Sequence, residues 1–213
     1  MATRELIRSQ REKALAHTRR THVLAAAREA FFELGLEGAS LREIARRAGY
    51  TPGALYSYFD SKEEVYAALL GESLERLNAK VAAAAAPEPA PALRAAALAF
   101  FDFFDENPRD LDLGFYLFQG MQPRGLTPAL NETLNGRLRD ALRPAEAALQ
   151  AMGLSAAEAL VEVTALFAHA AGLLLLSHTG RIRMFRQSSK ALFKRYLDAL
   201  VLRAPPVRRK RAR

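Results

Sequence analysis

From Val23 onward the apolar residues of this chain recur at the spacing of a helix surface, and no stretch alternates apolar and polar residues with period two. Val23, Leu24, Ala27, Ala30, Phe31 and Leu34 form one stripe at i, i+3, i+4 and i+7, the mark of a helix with one buried face. Cap signals punctuate the pattern. Ser40-Leu41-Arg42-Glu43, Ser61-Lys62-Glu63-Glu64 and Ser155-Ala156-Ala157-Glu158 fit a capping box, in which a serine hydroxyl and a glutamate three residues on satisfy the first free amides. Thr51-Pro52 and Thr127-Pro128 fit an N-cap followed by proline at the first helical position. Gly35, Gly49, Gly153 and Gly180 read as stops. Together these predict an all-α chain with helices at about 17–35, 41–48, 52–58, 62–84, 91–106, 109–120, 128–151, 156–178 and 188–203.

Charge is distributed unevenly. Residues 1–62 carry net +4, residues 63–180 net −7 and residues 181–213 net +11, for +8 in all. Basic ends flanking an acidic middle point to a polyanion partner at one or both ends, or to a solvated basic surface. The chain has no cysteine, which excludes a disulfide scaffold, a thiolate metal site and a cysteine nucleophile. Unbroken apolar runs such as Leu173–Leu176 and Val81–Ala86 fall short of the ~20 residues that cross a bilayer. No apolar core follows Arg4, Arg8, Arg11, Lys13, Arg19 and Arg20, so no signal peptide is expected. The expectation is a soluble, cytoplasmic protein without a membrane partner. No Gly-rich phosphate loop, no G-x-S-x-G, no H-E-x-x-H and no His/Asp/Glu set with metal spacing occurs, so neither cofactor nor metal is expected.

The most informative region is residues 40–59. A short helix with the stripe Leu41, Ile44, Ala45 and Ala48 ends at Gly49, and a second opens at Thr51-Pro52 with Leu55 and Phe59 as inward anchors. Two short helices joined by a tight glycine turn and packed on a longer first helix make a helix-turn-helix, whose second helix enters the major groove by its N-terminal residues. Here these are Thr51, Pro52, Gly53 and Ala54, small enough for close approach to base edges. Tyr56, Ser57 and Tyr58 supply hydroxyls and Lys62 a charge suited to phosphate. Arg42 could reach bases or phosphate from the groove edge. A lysine in a first helical turn opposes the macrodipole, which a phosphate partner would explain. The competing reading is a plain packing unit with half-buried tyrosines.

Residues 22–70 resemble the N-terminal domain of the TetR family of transcriptional regulators. The likeness runs through Ala25–Gly35 and Ser40–Gly49, and the family pattern G-x-L-Y-x-[HY]-F-x-[ST]-K stands without a gap from Gly53 to Lys62. The resemblance implies that Tyr56, Lys62 and Thr51 contact phosphate. It places Arg42, Gly53, Ala54, Ser57 and Tyr58 at base or backbone contacts. Position 54, often Ser or Thr in the family, is Ala54 here and offers one polar reader fewer.

The rest of the chain reads as a helical bundle. Phe100, Phe101, Phe103, Phe104, Phe115 and Phe118, with Met121, concentrate apolar bulk on two successive helices, as a ligand pocket or as an ordinary aromatic core. Phe167 and His169 lie on a later apolar helix, and His169 is either a ligand-facing or a core histidine. The resemblance favours a pocket for a small apolar or aromatic effector lined by Phe100, Phe101, Phe104, Phe115, Phe118, Met121, Phe167 and His169. Small residues Ala165, Ala168, Ala170, Ala171 and Gly172 on one long helix, and Leu192, Tyr196, Ala199 and Leu200 on the last, suit either a four-helix interface between two chains or an intramolecular pair. A helix-turn-helix on symmetric DNA favours the dimer.

The sequence thus divides into a basic arm (1–17), a helix-turn-helix domain (18–78), a helical effector-binding and dimerisation domain (79–203) and a basic tail (204–213). The expected function is that of a homodimeric repressor. It grips a palindromic operator in double-stranded DNA and is released by a small-molecule effector. A small all-helical enzyme is the rival reading, against which stands the lack of a paired acid/base constellation. Of the two basic ends, the N-terminal arm is expected to add DNA affinity and the tail little.

Overall fold

The computed structural model describes residues 2–115 and 126–204, without the side chains of residues 2–7, 12 and 13. Among these residues all regular structure is helical: α1 Ala2–Gly38, α2 Leu41–Ala48, α3 Pro52–Tyr56, α4 Lys62–Ala83, α5 Pro89–Glu106, α6 Pro108–Gly114, α7 Pro128–Ala151, α8 Ala156–His178 and α9 Ser189–Arg203, with a 3-10 turn at Arg181–Phe185 before α9. The expected cap residues act as caps. Ser40, Thr51, Thr127 and Ser155 each accept an amide three residues on, and Ser155 with Glu158 closes a full capping box. In the other two boxes the glutamate is diverted, Glu43 to arginines and Glu64 to the Asp60 amide. All four glycines read as stops adopt positive φ, which a side chain resists and glycine does not.

Two compact units result. The first comprises residues 1–72 with 112–131, and the second residues 73–111 with 132–213. This boundary, between residues 72 and 73, and the expected one at 78/79 both lie inside α4. The return of residue 112 and beyond to the first unit has a visible anchor, since the buried Tyr66 hydroxyl donates to the Leu113 carbonyl at 2.6 Å. In the first unit, α1–α3 and the start of α4 close on Ala27, Phe31, Ile44, Leu55, Phe59 and Tyr66, each at most 3% exposed.

The second unit is an aromatic bundle core. Phe100 meets Phe104 and Phe167 edge-on at centroid distances of 5.3 and 5.9 Å, and Phe101 stacks on Phe193 at 4.7 Å. Leu200 and Ala170 turn inward and are buried, so neither belongs to an outer stripe as expected. Ala165, Ala168, Gly172 and Ala199 are exposed.

Other differences have simple causes. α1 starts at Ala2, not near 17, because residues 2–34 contain no glycine or proline and many strong helix formers. α3 stops at Tyr56, where the Ser57 hydroxyl takes the Ala54 carbonyl at 2.7 Å. α6 ends at Gly114, and the remainder of its expected span, through 120, lies outside the described residues. Over a window rather than an unbroken run, α8 is long and apolar enough to cross a membrane, with a mean hydropathy of 2.0 and a third of the window buried. A helix at a protein–protein interface meets the same criterion.

Candidate nucleic-acid interface

The helix-turn-helix is held by charge as well as by apolar packing. The Glu43 carboxylate accepts from Arg46 at 2.7 and 2.9 Å and from Arg47 Nε at 2.7 Å, and Arg47 Nη2 reaches Glu33 on α1 at 2.8 Å. This chain of carboxylates and guanidiniums pins α2 to α1 and so fixes where α3 is presented. Hydrogen bonds from Arg46 and then Arg47 pull the Glu43 carboxyl from an ordinary 4.5 down to about 2. Its stabilising contribution is therefore present in full above pH ~4.5 and is lost as pH falls from there toward 2. Glu43→Gln should lower the thermal midpoint at pH 7, and the gap to the unaltered chain should close as pH falls through that window; a gap constant with pH would remove the network from the account.

Gly49, at φ 74, turns the chain between α2 and α3, and its amide returns to α2 carbonyls. Leu55, fully buried, and Phe59 anchor the underside of α3. On the other side Thr51, Pro52, Gly53, Tyr56 and Ser57 are exposed and Ala54 and Tyr58 half-buried. Arg42 is exposed near the start of α2. A Cβ added at Gly53 meets nothing within 4 Å of its own chain. The folded unit leaves that space free, and it is the approach a base edge would use.

The hydroxyls are not all uncommitted. Thr51 Oγ1 accepts the Ala54 amide at 3.3 Å, which leaves its hydrogen for a phosphate, whereas Ser57 spends its hydrogen on the Ala54 carbonyl. Tyr56, 52% exposed, is presented to solvent. Lys62 differs most from its sequence reading. Its ammonium donates to the Leu36 carbonyl at 2.7 Å and to the Glu37 carbonyl at 3.4 Å. These lie at the end of α1, where a cation complements free carbonyls. The cost of a lysine in the first turn of α4 is thus offset by α1, and one of its three hydrogens remains for DNA. Lys62→Ala should therefore lower stability by about 1 kcal/mol, while Tyr56→Phe leaves stability unchanged and weakens binding to all duplexes alike. Thermal melts beside binding isotherms separate the two; equal stability of both variants would contradict the Lys62 assignment.

One interaction has no sequence signal beyond proximity in the fold: the Arg20 guanidinium lies 4.8 Å over the Phe59 ring and ties α1 to the residue that follows the recognition helix.

Among the described residues, the expected effector residues take different surroundings. Phe100, Phe101 and Phe167 pack into the aromatic core, and His169 stacks on Tyr196 of α9 at 4.3 Å, its basicity lowered by burial. Phe115 belongs to the first unit. Phe118 and Met121 lie outside the described residues. Phe104 borders a cleft of about 220 Å³ with Leu111, Leu174, Asp105, Ser177 and His178. Among the described residues no group of three His, Asp or Glu is placed to hold a metal ion.

Residues 23–69 match the sequence profile of the bacterial regulatory proteins, tetR family. The HTH-type transcriptional activator FasR of Mycolicibacterium smegmatis is 38% identical over 99 residues, 46% of this chain and 45% of that protein. The chain spans a third to a half of the length of the curated relatives it matches. Among solved structures, a transcriptional regulator from Rhodococcus sp. Rha1 superposes with a TM-score of 0.65 at 25% identity, over 87% of this chain and 95% of that one. FadR from Bacillus subtilis, in complex with stearoyl-CoA, shares the fold with a TM-score of 0.61 at 19% identity, over 85% and 97%. These relatives are transcription regulators rather than enzymes. Residues 23–69 thus carry the N-terminal domain of the tetR family of bacterial regulatory proteins, and the chain as a whole has the fold of the solved regulators it superposes on.

Proposed function

We propose that this protein is a homodimeric transcriptional repressor that binds a palindromic operator through α2 and α3 and lets go of it when an apolar effector binds the helical domain. The observation that carries the DNA reading is the exposed start of α3, where Thr51, Pro52 and Gly53 face solvent over a fully buried Leu55. Selection of bound fragments from a genomic duplex pool tests it. Recovery of a two-fold symmetric sequence with half-sites about one helical turn apart, or a multiple of it, is expected; recovery of unrelated fragments overturns it.

The dimer reading is supported by α8. Val161, Ala165, Ala168 and Gly172 follow one another at helical spacing and are all exposed. A Cβ on Gly172 would meet nothing within 4 Å. Glycine inside a helix costs about 1 kcal/mol relative to alanine, and the chain's own packing gives no return for it. A second α8 approaching closely does. Leu160, Val161, Met184, Phe185 and Leu202, five large apolar side chains left exposed, sit on α8, α9 and the turn between them.

The effector reading rests on the cleft beside Phe104, with apolar walls from Leu111 and Leu174 and polar groups from Asp105, Ser177 and His178 at its edge. Its size suits one slender apolar arm, below the ~300 Å³ at which pockets enclose a whole drug-sized ligand. The ligand releases DNA only by binding the released state more tightly than the DNA-bound one. Compounds with an apolar arm, stearoyl-CoA among them, should be titrated into the operator complex. Ser177→Phe, which fills the cleft, should blunt release and leave operator affinity unchanged. Release by metal ions alone would rule the cleft out.

A further inference from the structure

The family match begins at residue 23, but α1 begins at Ala2. Some twenty residues of helix thus precede the matched unit. Every described side chain from Arg8 to His22 is exposed, including Leu15 at 57%. The chain's own core does not use this helix. At about 100° per residue, Arg8, Arg11, Leu15, Thr18, Arg19 and His22 fall within one arc of about 100°. Arg8 to Arg19 covers about 17 Å of helix axis. The one acid between Arg8 and His22, Glu12, stands at the edge of that arc, four residues after Arg8. The extension joins the folded unit beside the recognition helix, because Arg20 lies over Phe59, three residues past the end of α3.

We infer that residues 8–22 carry a second DNA-contacting surface, a helix laid along the phosphate backbone beside the site read by α3, with Arg8, Arg11 and Arg19 as its phosphate ligands. The occupant is duplex DNA on two grounds: three guanidiniums on one face complement a row of phosphates, and the helix is continuous with the helix-turn-helix itself. As a rigid arm it adds affinity and no sequence preference. The inference rests on the DNA-binding reading above.

The test compares the full chain with the triple variant Arg8→Gln, Arg11→Gln, Arg19→Gln and with a charge-matched control, Arg208→Gln, Arg209→Gln, Lys210→Gln. The probes are a duplex selected by the unaltered protein and a random-sequence duplex of about 40 base pairs, each titrated at several salt concentrations. Helicity by circular dichroism verifies that each variant is folded. The arm variant should bind both probes at least tenfold more weakly, and the slope of log K against log salt should fall by about 2–3 per chain, at roughly 0.9 for each phosphate no longer neutralised. The control should change neither. An unchanged slope in the arm variant, or equal weakening in arm and control, overturns the inference while the unaltered chain still binds its selected duplex. Failure of the unaltered chain to bind either probe instead overturns the DNA reading.

Discussion

Gly53→Val should leave the chain folded and abolish its preference for its operator. The position lies at the exposed start of α3, and a Cβ there meets nothing within 4 Å, so the free protein has room for the larger residue. Glycine is also the poorer helix former, so the thermal midpoint should hold or rise slightly. In the proposed complex the same space would be the approach of α3 to the base edges. A branched side chain there separates recognition helix and groove, and base-edge hydrogen bonds worth about 1–3 kcal/mol each disappear together. Operator affinity should fall ~100-fold or more, toward the level of random duplex, which the phosphate-binding groups still hold. Competition binding with selected and random duplexes measures this. Retained discrimination would mean that α3 does not enter the groove by its N-terminus.

The second large effect is expected on α8. Ala168 is exposed at the middle of the Val161–Gly172 stripe, so Ala168→Glu costs the isolated chain little. Between two copies it would bury a carboxylate with no partner, on both sides of a two-fold axis. Uncompensated buried charges cost about 3–5 kcal/mol, enough to separate the chains at micromolar concentration. The variant should sediment as a monomer with unchanged helicity, and its operator affinity should fall more than ~100-fold because the two half-sites are no longer engaged together. A variant that remains dimeric would move the interface off this face.

Much of the fold is legible in local punctuation. Ser40, Thr51, Thr127 and Ser155 cap the helices that their spacing predicts, and the four stop glycines adopt positive φ. Such signals act over three or four residues, and the fold has no strong reason to override them. What stays hidden depends on distant partners. The contacts of Lys62 with the Leu36 and Glu37 carbonyls are hidden because those residues stand some twenty-five positions away. The α5 phenylalanines read equally as pocket wall or core because periodicity does not tell an apolar face that meets a cavity from one that meets Phe167 or Phe193. The full length of α1 is hidden for another reason: an apolar stripe reveals only a helix that buries one, and the described side chains of residues 8–22 are exposed.

Among the helical glycines with open space around them, Gly53 and Gly172 also bear on engineering. Both are positions where alanine would raise the melting temperature of the free chain, and both belong to proposed contact surfaces. A thermostability screen run without DNA or effector would favour replacements there, and the variants it ranked highest would be among those least able to regulate. Conversely, a position where stability improves and regulation disappears marks a surface that natural selection has kept bare for something outside the chain.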